Sequence, residues 1–91
     1  MILNVAAYHF APVADPDALA DRIRAQAEAL DLRGTVLVAP EGVNLFLAGT
    51  DDGVHAVLAL VRDEPGFEAL QAKFSHSDDV PFARLKVKRK N

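Results

Sequence analysis

Short apolar stretches recur along this chain at lengths that suit β-strands. Residues 2–10, ILNVAAYHF, contain no glycine or proline, which predicts a buried or half-buried strand. The turn residues Pro40, Glu41 and Gly42 separate two later apolar runs and predict a hairpin. In all, the pattern predicts five strands, at residues 2–10, 35–39, 43–48, 69–75 and 83–90.

Two longer segments carry apolar residues at helical spacing. The first begins after Asp15, a good N-cap, has Pro16 in its first turn, and runs to about Leu30. The second is predicted over residues 51–63, with Thr50 or Asp51 as its cap. Each has one apolar stripe: Leu19, Ile23, Ala27 and Leu30 in the first helix, and Val54, Val57, Leu58 and Val61 in the second.

The order of these elements is β-α-β-β-α-β with one extra terminal strand, which is the ferredoxin-like, or split βαβ, order. The length of 91 residues suits a single domain. We therefore expect an α+β sandwich in which two helices cover one face of an antiparallel sheet and leave the other face partly open. Gly34 is expected to mark the turn between the first helix and the second strand.

Alternation along the strands indicates which residues lie on the open face. If Val43, Leu45 and Leu47 face the helices, the open face carries Asn44 and Phe46, with Tyr8 or Phe10 from the first strand. Aromatic residues on such a sheet stack bases in RNA-recognition domains, although the stretch GVNLFLAG does not match their signature. Packing against a neighbouring domain is the other interpretation.

Composition excludes several classes of protein. A hydrophobic fraction of 51% argues against intrinsic disorder, and no apolar run approaches the roughly 20 residues of a membrane span. The chain has no cysteine, so it has no disulfide, thiolate zinc site or cysteine nucleophile. Its histidines, His9, His55 and His76, lack ligand spacing, so we expect no metal or cofactor. The start of the chain does not resemble a signal peptide, and a cytoplasmic location is expected.

Charge is uneven along the chain, although the net charge is only −3. All 13 acidic residues lie at or before Asp79, whereas five of the ten basic residues lie after it. The last predicted strand alternates apolar residues with four cations: Arg84, Lys86, Lys88 and Lys90. Such a stripe can follow a phosphate backbone, but lysines on an edge strand also prevent edge-to-edge aggregation. Both interpretations stay open.

Two motifs resemble one known family. Residues 33–44, RGTVLVAPEGVN, are similar to its pattern K-G-T-hydrophobic-L-A-x-E-G-I-N, and residues 74–88 are similar to S-x-x-x-x-x-P-F-x-R-hydrophobic-K-V-K. Tyr8-x-Phe10 and Ala48-Gly49 also fit. Together they resemble the N-terminal domain of the rhodanese-like tRNA uridine hydroxylases, over nearly the whole chain.

The resemblance implies a ferredoxin-like, acylphosphatase-like domain that precedes a rhodanese domain with a reactive cysteine. That family carries out oxygen-dependent 5-hydroxylation of the wobble uridine of certain tRNAs. It implies that residues 1–91 are the N-terminal part of a longer chain. We expect a noncatalytic domain whose partners are tRNA and the rhodanese domain, with no membrane contact. This chain has Leu45-Phe46 where many members have Gly-Thr.

Acylphosphatases share the strand order and use a glycine-rich phosphate loop with an arginine, together with an asparagine on a central strand. Here the corresponding loop is APVADPD, whose carboxylates would repel phosphate, so we expect no such activity despite Asn44.

Three groups of site residues follow as hypotheses. Arg84, Lys86 and Lys88 are expected to contact RNA, and Pro81 with Phe82 to anchor a partner domain. A loop shaped for function is expected at Glu41, Gly42 and Asn44, with Gly42 in an unusual backbone conformation. The alternative is a protein-interaction or small-ligand module without an RNA role.

Overall fold

The computed structural model describes residues 1–90 and contains five strands and two helices in the predicted order. The strands are β1 (Ile2–Phe10), β2 (Arg33–Ala39), β3 (Gly42–Gly49), β4 (Gln71–Ser77) and β5 (Leu85–Arg89). The helices are α1 (Pro16–Ala29) and α2 (Asp51–Arg62). The expected α+β, ferredoxin-like architecture with an extra C-terminal strand is confirmed.

The strands form one sheet in the order β4-β1-β3-β2-β5. β3 lies at its centre and pairs antiparallel with β1, with Tyr8 opposite Asn44. β2 and β3 form the predicted hairpin, closed by the Ala39–Gly42 pair. β5 joins the far edge by pairing parallel to β2, with Val36 opposite Val87. The chain must therefore cross the whole width of the sheet between β4 and β5.

Both helices pack on one face of the sheet. Side chains that alternate along β1, β2 and β3 meet the helical stripes there, as the sequence predicts. No polar or charged side chain is buried within residues 1–90. The largest fully buried side chains are Phe67, Leu19, Ile23, Leu45, Leu47, Leu58, Val36, Val38, Val54, Val57 and Val61.

The helix caps agree with the sequence, but one stripe residue does not. The Asp15 side chain accepts a hydrogen bond from the Ala18 amide at 3.1 Å, and the Thr50 hydroxyl accepts one from the Gly53 amide at 3.0 Å. Leu30 was expected in the apolar stripe of α1, yet it lies at the C-cap and is 37% exposed. Leu32, beyond the helix end, is buried in its place.

The bounds of the last four strands differ from the prediction by one or two residues, most clearly in β4 and β5. β4 begins at Gln71 rather than residue 69, because Phe67 and Leu70 are buried in a turn that precedes the strand. An apolar turn of this kind has the same local pattern as a strand. β5 is shorter than the predicted range 83–90 and leaves Arg84 outside the strand.

Gly34 lies inside β2 rather than in a turn, and its backbone explains why glycine stands there. Its φ is +136°, a region that side chains disfavour. A Cβ at this position would overlap the backbone carbonyl of Phe46 on the neighbouring strand. Its amide donates to the Arg84 carbonyl at 3.1 Å, which starts the pairing of β5.

Gly34→Ala is expected to destabilise the fold by at least about 2 kcal/mol, since it adds both overpacking and backbone strain. Gly49→Ala is the matched control, because its Cβ would meet only the end of the Leu32 side chain, which can move. Urea unfolding of the two variants measures the difference. Equal losses of stability would contradict this account of Gly34.

Candidate nucleic-acid interface

The sheet face opposite the helices carries exposed aromatic side chains. Tyr8 is 66% exposed, Phe10 76% and Phe46 46%, and all three project from the neighbouring strands β1 and β3. The predicted alternation is therefore correct at these positions. Exposed aromatic rings at the centre of a sheet are typical of a surface that contacts another molecule. We call this surface the open face.

Strand register aligns the open-face residues in two transverse rows. The first row runs across the strands as Gln71, Tyr8, Asn44, Leu37 and Lys88. The second row runs as Lys73, Ala6, Phe46, Thr35 and Lys86. Each row has an aromatic side chain on β1 or β3 and a lysine on the β5 edge. Neighbouring strands are about 4.8 Å apart.

Charge separates between the two faces of the domain. None of the five strands described within residues 1–90 contains Asp or Glu, whereas together they contain five cations. One of these, Arg89, turns toward the helices and pairs with Asp17 at 3.0 Å. The other four belong to the open face: Arg33, Lys73, Lys86 and Lys88. The acidic residues lie in the helices and the connections.

This separation of charge between two faces differs from the expectation based on sequence position, in which residues 1–79 are acidic and residues 80–91 are basic. Arg33 and Lys73 are distant from residues 84–90 in sequence, and the charge count along the chain missed them. Strand alternation was the signal that could have found them, because each occupies an open-face position. Within residues 1–90, the side chain of neither residue makes a hydrogen bond or ion pair.

The β5 edge brings together the three predicted RNA contacts. Lys86 and Lys88 both lie on the open face. Arg84 precedes the strand and belongs to neither row, but it lines one cleft of about 460 Å³ together with Lys86 and Lys88. A second cleft places Arg84 beside Glu28 and Asp31. The Arg24 guanidinium donates to the Val87 carbonyl at 2.9 Å, which satisfies part of this otherwise unpaired edge.

The three residues of the expected functional loop do come together. Glu41, Gly42 and Asn44 line a concavity of about 200 Å³ with Tyr8, Phe10 and Lys90 among its other walls. The expectation of an unusual backbone conformation at Gly42 is wrong, since only Gly34 and Gly66 among the glycines have positive φ. Glycine is needed at 42 because a Cβ would overlap the His9 carbonyl oxygen on β1.

The loop after β1 braces this hairpin. The Ala11 amide donates to the Glu41 carbonyl at 3.0 Å, and the Val13 amide donates to the Pro40 carbonyl at 2.9 Å. Pro12 between them has no amide hydrogen. The backbone amides of Ala11 and Val13 are therefore already hydrogen-bonded to the hairpin. Residues 11–13 have no free backbone amide that could bind a phosphate.

Pro81 and Phe82 lie at the opposite end of the open face. They belong to the segment that crosses from β4 to β5, and they line a concavity of about 480 Å³ that also contains Asn4 and Phe46. The Asn4 amide donates to the Ser77 hydroxyl at 3.0 Å, which ties the start of this crossing to β1. Phe82 is half-buried rather than fully exposed.

Two absences concern residues 1–90. No group of three or more potential metal-ligating side chains occurs within this range. Neither α1 nor α2 has the length and apolar character of a membrane-crossing helix.

Comparison with solved structures identifies the fold. The chain superposes on the acylphosphatase of Bacillus subtilis with a TM-score of 0.70 at 14% identity, covering 97% of this chain and 99% of that one. It also superposes on the BLUF protein BlrB in its dark state, with a TM-score of 0.70 at 15% identity, over 94% and 71% of the two chains. At these identities the likeness concerns the fold alone.

Sequence comparison gives closer relatives. The chain is 51% identical over 90 residues to the tRNA uridine(34) hydroxylase of Xanthomonas euvesicatoria, covering 99% of this chain and 36% of the relative. It is 50% identical over 88 residues to the protein of the same name from Xylella fastidiosa, covering 97% and 34%. The chain thus spans about a third of the length of these curated relatives.

The family described as UPF0176 acylphosphatase like domain matches residues 2–91. This match covers both motifs that carried the resemblance in the sequence, and it confirms that resemblance. It also agrees with the ferredoxin-like sheet and its likeness to acylphosphatase in the superposition. The chain belongs to the UPF0176 acylphosphatase-like domain family, whose relatives here are proteins named tRNA uridine(34) hydroxylase.

Proposed function

We propose that this chain is the noncatalytic, RNA-contacting N-terminal domain of a cytoplasmic tRNA-modifying enzyme that hydroxylates the wobble uridine. The names of the relatives supply the substrate class. The observation that carries the RNA role is the segregation of charge, because the open face has four cations and its strands have no carboxylate.

Cations on an extended strand are suited to a phosphate backbone. Lys86 and Lys88 are two residues apart on one face of β5, which separates them by about 6.6 Å along the strand. Phosphate contacts of this kind position an RNA without selecting its sequence. The acidic residues on the helical face repel a polyanion, so the domain is expected to approach RNA with the sheet.

The opposite end of the open face is suited to contact with the rest of a longer chain. Pro81 and Phe82 line a concavity with Phe46 and Phe74, and its lining includes one of the four open-face cations, Lys73. In the proposed enzyme, a rhodanese domain packs against Pro81 and Phe82. Packing there leaves the β5 lysines accessible, since they lie on the far edge of the sheet.

Binding to tRNA is expected to be weak and to fall steeply with salt. Three neutralised phosphates, one each for Arg84, Lys86 and Lys88, give a log–log slope of about −2 to −3. Lys86→Glu is expected to abolish binding at moderate salt and to leave the fold intact. A tRNA titration followed by amide chemical shifts at two salt concentrations measures both effects.

The matched control is Arg22→Glu, which makes the same change in charge on the exposed surface of α1. It is expected to leave tRNA affinity within about twofold of the wild-type value, because screening limits the reach of an exposed charge to about 10 Å. Shifts spread over the helices, or none at low salt, would reject the RNA role and leave a protein-interaction module as the alternative.

The isolated chain is expected to show no acylphosphatase or sulfurtransferase turnover above buffer. It contains no cysteine, and the Ala11 and Val13 amides are hydrogen-bonded to the hairpin rather than available to a phosphate. Hydrolysis of an acyl phosphate, followed spectroscopically, is the test. Turnover that disappears in Asn44→Ala would show that the domain is an enzyme.

A further inference from the structure

We propose that the Tyr8 end of the open face binds one unpaired nucleotide of an RNA, with the base on Tyr8 and its edge against Asn44. This inference rests on the proposed RNA role and names the part of an RNA that the domain selects. We call the concavity lined by Tyr8, Phe10, Glu41, Asn44 and Lys90 the base site.

Two aromatic rings are available for stacking there. Tyr8 and Phe10 are the most exposed large hydrophobic side chains of the strands, and they meet edge to face, with centroids 5.9 Å apart and planes at 64°. An edge-to-face pair leaves ring faces open. Bases stack on such rings whatever their identity, and each stacked base contributes a substantial share of the affinity for single strands.

Polar groups at the base site have no partners within residues 1–90. Neither the side-chain amide of Asn44 nor the carboxylate of Glu41 makes a hydrogen bond or ion pair in this part of the chain. Asn44 lies directly opposite Tyr8 in the β1–β3 pair, so its amide borders the ring. An amide offers both donors and an acceptor, which match the paired donor and acceptor of an exposed base edge.

The small volume of the concavity limits the base site to a single nucleotide base. Its volume of about 200 Å³ is below the roughly 300–1,000 Å³ of sites for larger ligands. Ala39 and Gly42, which pair across the hairpin, belong to its lining and leave room there because their side chains are small or absent. A duplex cannot use such a site, because its bases are stacked and their edges paired.

Charge around the base site orients the nucleotide. Glu41 can only accept a hydrogen bond while ionised and repels phosphate, so it favours the N–H groups of a base edge. Lys90 lines the same concavity, and Lys88 lies in the same transverse row as Tyr8 and Asn44. The base is therefore expected toward Glu41 and Asn44, and the backbone toward the β5 lysines.

The chain offers a direct probe of stacking. Tyr8 is its only tyrosine and it has no tryptophan, so tyrosine emission reports on this site alone. We expect a single-stranded oligouridylate to quench that emission in a saturable way at low salt. A duplex RNA of the same length is expected to bind through phosphates and to leave the emission unchanged after correction for its absorbance.

Variants identify the groups involved, with affinity measured by the anisotropy of a labelled oligonucleotide. Tyr8→Ala is expected to weaken binding at least about fivefold, the effect of losing one stacked base, whereas Tyr8→Phe keeps the ring and the affinity. Asn44→Ala is expected to reduce both affinity and quenching. Phe74→Ala is the control, since Phe74 is 45% exposed but contacts His55 on the helical side.

The outcomes separate the two proposals. If Lys86→Glu abolishes tRNA binding but the oligouridylate causes no quenching, the base site is wrong and the proposed function stands. Equal quenching by the duplex, or unchanged affinity in Tyr8→Ala and Asn44→Ala, also overturns the base site. If tRNA does not bind at low salt, the proposed function fails and the base site fails with it. Circular dichroism of each variant confirms that these exposed substitutions leave the fold intact.

Discussion

A sheet has two faces, and two helices of 14 and 12 residues cover only one face of this five-stranded sheet. Burial on the covered face gives the domain its core, since the fully buried side chains come from the helical stripes, the inner strand positions and Phe67. Because side chains alternate along a strand, every second strand residue lies on the uncovered face. Tyr8, Phe10 and Phe46 are exposed because no further element of residues 1–90 is long enough to cover them.

The fifth strand supplies two of the four cations of that exposed face. β5 pairs with β2 and is fastened to α1 by Arg24 and by the Arg89–Asp17 ion pair, so both arginines act on the helical side. Lys86 and Lys88 alternate with these contacts and are left on the open face. Edge protection and phosphate contact, the two interpretations of the cationic stripe, are therefore compatible, because the same lysines border an unpaired edge and an aromatic surface.

Element order, strand faces and helix caps could be predicted because they follow from local periodicity and capping. Features that depend on strand register could not be predicted from the sequence. Gly42 needs no positive φ but lies too close to β1 for a side chain, which only the pairing with Phe10 shows. Arg33 and Lys73 join the β5 lysines on one face because five strands align them, although they are far apart in the chain. Leu30 and the start of β4 were mispredicted because an apolar turn and an apolar element have similar patterns.

The likeness to acylphosphatase concerns the fold, and one fold supports many different activities. A central asparagine and a loop after β1 are present, yet the Ala11 and Val13 amides are already used by the hairpin, so the loop braces Glu41 instead of holding a phosphate. In the proposed function, a noncatalytic domain contributes to catalysis through binding. In the proposed enzyme, each contact with the β5 lysines raises the effective concentration of tRNA at a catalytic domain elsewhere in the chain. Weak, salt-sensitive binding is suited to that role, since tight binding by the accessory domain would slow the release of the modified tRNA.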